Sequence, residues 1–195
     1  MAAAELGSGS PRTILVVGGG IAGMTSAIEA AEVGHDVILI EKRPFLGGRV
    51  AQFYHYFPKL CPPSCGLEIN FRRIKQNERI TVLTQAELAS VSGGPGDYRV
   101  AIRENPRYVN EKCTACGDCE KACEIEMDDE FNYGMGTTKA IYLPFEMAHP
   151  LRYAIDDGVC PGTECGKCVP ACPYDAIDLE MQPETLDVEV QAVIW

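Results

Sequence analysis

The chain contains no stretch approaching the roughly 18 apolar residues needed to cross a bilayer, so no membrane-spanning helix and no direct membrane insertion are expected. Its opening, MAAAELGSGSPR, has neither a basic start nor an apolar centre. That argues against an export signal and gives residues 1–11 the character of a flexible tail. Basic residues are scarce: 17 Lys and Arg stand against 28 Asp and Glu, a formal charge of −11. Such a balance repels a phosphate backbone and excludes a nucleic-acid partner. The one basic cluster, NFRRIKQNER (70–79), reads as the solvated face of a helix, with a docking patch for an acidic partner as the alternative. Three His (35, 55 and 149) show no ligand spacing, and no proton-abstracting or nucleophilic constellation is evident.

Cysteine, by contrast, is abundant, with ten in 195 residues. In a secreted chain these would suggest a disulfide framework; without a leader they point to a cytoplasmic protein whose thiols bind metal or do redox chemistry.

TILVV (13–17) is a short apolar run rich in β-branched residues, as in a strand buried on both faces of a parallel sheet. Gly18, Gly20 and Gly23 follow with the spacing G-x-G-x-x-G, and IAGMTSAIEAAEVG continues with helical periodicity to Gly34. A second strand, DVILI (36–40), ends at Glu41. The first glycine permits a tight turn, the second lets the backbone approach a pyrophosphate, and the third lets helix and strand pack closely. The helix amino end stabilises phosphate charge, and Glu41 is placed to accept from a ribose hydroxyl. EKRPFLGGRV (41–50) resembles the second FAD contact of two-dinucleotide-binding flavoproteins, which implies that Gly48 and Arg49 line the pyrophosphate. No second such glycine fingerprint occurs, since SGGPGD (92–97) reads as a hairpin turn, so a separate NAD(P)H domain is not expected. The candidate FAD-binding set is Gly18, Gly20, Ala22, Gly23, Glu41, Lys42, Gly48 and Arg49.

Cys113, Cys116, Cys119 and Cys123 form C-x2-C-x2-C-x3-C. Cys160, Cys165, Cys168 and Cys172 repeat it as C-x4-C-x2-C-x3-C, followed by Pro173. This is the pattern of two-cluster bacterial ferredoxins, in which the chain folds back and exchanges the fourth ligand. It assigns Cys113, Cys116, Cys119 and Cys172 to one [4Fe–4S] cluster, and Cys160, Cys165, Cys168 and Cys123 to the other. Zinc more often takes its ligands from two short, well-separated pairs. Glu124 stands where the first run would usually have proline. With Asp128, Asp129 and Glu130 it suggests a low potential, unless these acids merely lie in a solvated loop. Residues 124–159, between the runs, read as packing for the clusters or as a partner's footprint.

Cys61 and Cys65, separated by Pro62, Pro63 and Ser64, leave three readings open: structural thiols, a redox or sulfur-handling pair, or cluster ligands.

A flavin domain carrying such a module resembles the flavoprotein (A-type) component of heterodisulfide reductase along VVGGGIAG, EKRPFLGGRVAQ, PRYVNEKCTACGDC, KAIYLPF and GKCVPACPYDAIDLE. Within that group, YFPKLCPPSCGLEINFRRIK and DDEFNYGMGTTKAIYLPFEMAHP look most like the flavoprotein subunit of the quinone-interacting membrane-bound oxidoreductase of sulfate reducers. The resemblance implies an electron-transfer subunit that passes electrons between FAD and two clusters. Its partners would be adenylylsulfate reductase, a second flavoprotein/iron–sulfur subunit and a membrane quinone-reactive subunit. Such a protein lies in the cytoplasm, held at the membrane's inner face through its partners. The alternative is a component of a sulfur-oxidising or thiol/disulfide-reducing complex using Cys61 and Cys65. The expected fold is α/β: a Rossmann-like FAD domain over 12–106, an α+β ferredoxin insert over 107–180, and returning flavin-domain strands over 181–195. LDVEVQAVIW stops short of the turn that such flavoproteins place against FAD, so an incomplete flavin domain is expected.

Overall fold

The computed structural model describes residues 12–58 and 60–195; the tail expected over 1–11 lies outside them. The two apolar runs flanking the glycine turn form β1 (Thr13–Val17) and β2 (Asp36–Glu41), joined by α1 (Ile21–Glu32). With β3 (Ile80–Thr84) and β11 (Ala192–Ile194) they make a parallel sheet in the order β11-β1-β2-β3. Every residue of β2 after Asp36 is buried, as a strand covered on both faces requires.

One cover is helical. α1 buries Met24, Ala27, Ile28 and Ala31, a stripe at helical spacing, and packs on β1, β2 and β3. It stops at Gly34, whose φ of +99° is left-handed. Gly34 N–H then donates to Ala31 O at 3.0 Å and His35 N–H to Ala30 O at 3.1 Å, which satisfies two terminal carbonyls. A second helix, α3 (Ser64–Gln76), packs on α1 and buries Leu67, Phe71 and Ile74. Within residues 70–79, Arg72, Lys75 and Arg79 are exposed while Phe71 and Ile74 point inward, and the helix ends at Gln76. Arg73 pairs with Glu29 and Glu32 of α1, and Arg79 with Asp36. These cations are engaged within the chain rather than offered to an acidic partner.

The other cover is an antiparallel sheet ordered β10-β5-β4, from β10 (Glu184–Val190), β5 (Asp97–Glu104) and β4 (Ala86–Gly94). Ala86, Val100, Ile102, Leu186, Val188 and Val190 meet Leu15, Ile38 and Ile40 in one core. The hairpin read at SGGPGD is present, with its turn at Pro95–Gly96. β10 pairs with β5 along its whole length, from Glu184 opposite Glu104 to Val190 opposite Tyr98.

The chain divides into two compact units, one comprising residues through Asn105 together with Pro183–Trp195, the other Pro106–Gln182. The second contains α4 (Asp118–Ala122), α5 (Cys168–Ala171) and two short antiparallel pairs. These pairs are β6 (Glu126–Asp128) with β7 (Thr137–Lys139), and β8 (Ile141–Tyr142) with β9 (Ala154–Ile155). Its core joins Val109, Ile141, Tyr153, Ile155, Ala176 and Ile177 to Cys119 and Cys168. Among the described residues no helix is long and apolar enough to cross a membrane.

Candidate cofactor sites

The glycine turn behaves as three distinct sites. At Gly23 a Cβ would lie 1.8 Å from Gly18 O, so only glycine permits the close passage of helix over strand. At Gly18 the requirement is conformational, with φ at +101°. Gly20 has neither restriction: a Cβ there would meet nothing within 4 Å. Its outward face is open, at the amino end of a helix that no side chain caps. First-turn N–H groups without a side-chain cap are suited to an anionic ligand.

A second glycine pair leans on this turn. Gly47 and Gly48, both left-handed at φ +114° and +55°, open the short helix α2 (Gly48–Ala51). Gly47 N–H donates to Gly19 O at 2.8 Å, and a Cβ on Gly48 would come within 3.1 Å of Gly20 Cα. Arg49, Lys42 and Ala22 are exposed to differing extents. Thus Gly20 and Gly48, distant in sequence, border the same place. Glu41 is buried, and its carboxylate is turned inward: Oε2 accepts from Gly19 N–H at 2.6 Å and Oε1 from Arg43 N–H at 2.9 Å. The expected ribose acceptor already has two backbone donors, which fix its position, so a ribose would compete for its remaining lone pairs. Sequence reasoning missed Gly19 and Gly47 because neither belongs to the fingerprint spacing. The donor set, the open glycine and the uncapped helix fit a dinucleotide.

The two cysteine runs fold alike. Gly117 and Gly166 each follow the run's second cysteine and are left-handed, at φ +85° and +56°. Cys119 lies in α4 and Cys168 starts α5, whereas Cys123 and Cys172 are extended residues ending those helices. The two helices pack together. Cys123, from the first run, meets Cys160, Cys165 and Cys168, from the second, around a small cavity of about 20 Å3. Ile125, Ile141 and Ile155 complete its apolar wall. Cys113, Cys116 and Cys119 are within electrostatic reach of one another. Backbone amides point at sulfur, from Ala115 to Cys113 Sγ at 3.5 Å and from Ala176 to Cys172 Sγ at 3.4 Å.

Burial pushes the Cys119 thiol up to about 12 and the Cys168 thiol up to about 11. As free thiols both resist ionisation, so iron must displace their protons. Among the described residues no three His, Cys, Asp or Glu side chains close on a point suited to one metal ion. Four thiols drawn from both runs around one apolar cavity are the donor chemistry that an iron–sulfur cluster takes. Glu124 forms an ion pair with Lys167 and Asp129 accepts from Phe131 and Asn132 N–H, which weakens the expectation that these acids depress the potential.

Cys61 is half-buried and Cys65, in the first turn of α3, is exposed. Tyr56 joins them: its N–H donates to Cys61 O at 3.3 Å in an isolated antiparallel bridge, and its pKa is raised chiefly by the Cys61 charge, then by burial, with a smaller contribution from Cys65. No sequence spacing pointed to Tyr56.

The first unit carries a flavoprotein segment and the second an iron–sulfur motif. Residues 13–60 match the FAD dependent oxidoreductase family and residues 163–178 the 4Fe-4S binding domain. The class these matches define is that of oxidoreductases that combine an FAD-binding segment with an iron–sulfur motif. More particularly, the chain is similar to the A-type component of heterodisulfide reductases. It is 38% identical over 181 residues to that component of the H(2):CoB-CoM heterodisulfide,ferredoxin reductase of Methanothermobacter marburgensis, covering 92% of this chain and 27% of the relative. It is 40% identical over 187 residues to the corresponding iron-sulfur component of the CoB–CoM heterodisulfide reductase of Methanocaldococcus jannaschii, covering 94% and 28%. The chain thus spans about a quarter of the length of the curated relatives it matches. Among solved structures, histamine dehydrogenase from Rhizobium sp. 4-9 is 30% identical over 40% of this chain and 12% of that one, with a TM-score of 0.34.

Proposed function

We propose that this chain is part of an electron-transfer subunit that passes electrons between FAD and two [4Fe–4S] clusters. The observation that carries the reading is the meeting of Cys123 with Cys160, Cys165 and Cys168 around one cavity, the crossed arrangement of a two-cluster ferredoxin. By the same folding-back, Cys172 completes the set of Cys113, Cys116 and Cys119. FAD would supply the exchange between paired and single electrons, and the clusters single-electron transfer. Gly18, Gly20, Ala22, Gly23, Gly48 and Arg49 hold the pyrophosphate, with Glu41 and Lys42 toward the ribose. The protein's part is to bind, orient and shield these groups, with the ferredoxin module over about 107–180 inserted between the two stretches of the flavin domain.

The partners are other redox subunits of one complex, in keeping with relatives that are themselves named as subunits. The likeness of the stretches around Cys61 and around Tyr133 to the quinone-interacting oxidoreductase favours a link between the quinone pool and adenylylsulfate reductase in sulfate reduction, at the cytoplasmic face of the membrane. Anaerobic analysis of the whole protein tests the cofactor set: about eight irons and one FAD per chain are expected, whereas zinc, or four irons, would overturn it.

A second reading has one observation in its favour, the backbone bridge that sets Tyr56 beside Cys61, with Cys65 close by. It makes the pair a thiol/disulfide centre, as in a heterodisulfide-reductase-like complex. Cys61→Ser would then abolish disulfide turnover while leaving iron and flavin content unchanged.

A further inference from the structure

The negative charge of the chain is unevenly shared. Pro106–Gln182 holds 15 of the 28 Asp and Glu but only 6 of the 17 Lys and Arg, so nine of the eleven net negative charges belong to the second unit. Its four lysines are all engaged within it: Lys112 with Asp175, Lys121 with Asp118, Lys139 with Glu126 and Lys167 with Glu124. Its two arginines, Arg107 and Arg152, are buried and half-buried. The surplus at its surface is therefore acidic.

On that background one hairpin holds large apolar side chains out to solvent. The connection between β6 and β7 is fixed by its own backbone: Asp129 N–H donates to Gly136 O at 2.9 Å, Gly134 N–H to Asp129 O at 2.8 Å and Met135 N–H to Asn132 O at 3.0 Å. Phe131 stacks on Phe145 with ring centroids 4.9 Å apart, which ties residues 145–147 to the hairpin. This ordered frame nevertheless leaves Tyr133 58%, Met135 75% and Met147 40% exposed. Asp128, Glu130 and Glu146, close to them in the chain, are exposed too. Tyr133 is left-handed, at φ +56°, a conformation that costs energy in any residue but glycine. Tyr and Met belong to the cores of interfaces and polar groups to their rims, and a backbone ordered in advance loses little freedom on binding.

We propose that the Tyr133/Met135 tip, with Met147 beside it, is the docking point for a protein partner whose face carries Lys and Arg around an apolar hollow. Charge selects the occupant. A second copy of this unit would bring acid onto acid, whereas a basic face meets a complementary potential. The proposal rests on the reading of the chain as one subunit among redox partners, and adds to it the place where a partner sits and the chemistry that it presents.

The test is calorimetric titration of the full-length protein with a lysine-rich cytochrome c as probe. Affinity should fall about tenfold or more as salt rises from about 0.01 to 0.15 M and the Debye length shortens from about 30 to 8 Å. Tyr133→Gly removes the side chain and relieves the left-handed backbone, so it should keep or raise the unfolding midpoint yet weaken binding about fivefold or more. Met135→Ser should weaken it likewise. Asp128→Asn combined with Glu146→Gln should weaken it by about threefold or more. Glu111→Gln combined with Glu180→Gln, equal in charge but beside the Val109–Ile177 bridge, should change it by less than about twofold. No binding at low salt, equal losses in the two charge pairs, or full affinity in Tyr133→Gly and Met135→Ser would each overturn the inference. Radical footprinting of the full-length subunit without probe should oxidise Met135 readily. Protection there would show the tip already covered by the same chain or a second copy, and would overturn it as well. Protein that binds as described but takes up no iron or flavin sinks the electron-transfer reading instead and leaves the docking surface standing.

Discussion

Alanine at Gly23 and alanine at Gly20 should do opposite things, although only two residues lie between them. At Gly23 the added carbon would sit 1.8 Å from Gly18 O and 3.1 Å from Gly18 C. The first distance is about 1.6 Å short of ordinary contact. Both atoms are backbone at the turn between β1 and α1, so no side chain can swing aside. Overpacking of this kind costs about 1–3 kcal/mol, and an immovable neighbour puts Gly23→Ala at the upper end. With a urea dependence of about 1–3 kcal/mol per molar, a loss of about 3 kcal/mol lowers the unfolding midpoint by about 1–3 M. At Gly20 the backbone is extended, with φ −71° and ψ −177°, and the added carbon meets nothing. Gly20→Ala should therefore change stability by no more than about 1 kcal/mol, the cost of a poorer helix cap. It should nonetheless lose flavin at least tenfold in affinity, about 1.4 kcal/mol, because the methyl occupies the pyrophosphate's approach. Urea unfolding and bound flavin per chain after reconstitution separate the two. An unchanged midpoint in Gly23→Ala would refute the close-passage argument. Full flavin affinity in Gly20→Ala would refute the role given to the open face.

Cys123→Ser and Cys165→Ser should extinguish the same cluster signal, despite lying in different runs, and Cys172→Ser the other; resonance spectra of the three variants check this. The cluster-free module should lose stability as pH rises past about 9. Cys119 and Cys168 ordinarily ionise near 9.0 but are held protonated in the fold to about 12 and 11, so the folded state keeps protons that the unfolded state releases. The loss is at most about 1.4 kcal/mol per thiol per pH unit and shows as a falling denaturation midpoint; iron-loaded protein, its thiolates already ligated, should not follow it. Ile102→Ala, at a fully buried position where the two sheets meet, should destabilise the first unit by about 2–5 kcal/mol, measurable by urea unfolding.

The parts legible in the sequence were those whose physics is local. A β-branched run, a glycine turn and a helical stripe ending at Gly34 announced β1, α1 and β2, because each is a period or a punctuation mark. Repeated cysteine spacing likewise announced two similar folds. Glu41 was found, but not its inward carboxylate, since no spacing rule says that Gly19 and Arg43 will donate to it. The basic run 70–79 was read rightly as exposed, with Arg72, Lys75 and Arg79 at the surface, but its partners were not legible, for a related reason. Its charges look solvated in a linear string, and only the packing of α3 on α1 supplies Glu29 and Glu32 as partners. The burial of Arg107 was invisible because arginine is ordinarily a surface residue; the hint was its place between Pro106 and the apolar Tyr108–Val109, at the entry to a core.

Glu104, the last residue of β5, lies directly opposite Glu184, the first of β10. The polypeptide therefore leaves the sandwich and re-enters it through a single doorway one strand spacing wide. A hairpin turn of ordinary length would bridge that gap, so nothing in the host sheet dictates what is carried there. Closing the ends of a long loop costs only slowly more as the loop grows, so residues 106–182 span this doorway at little more cost to the sheet than a short turn would.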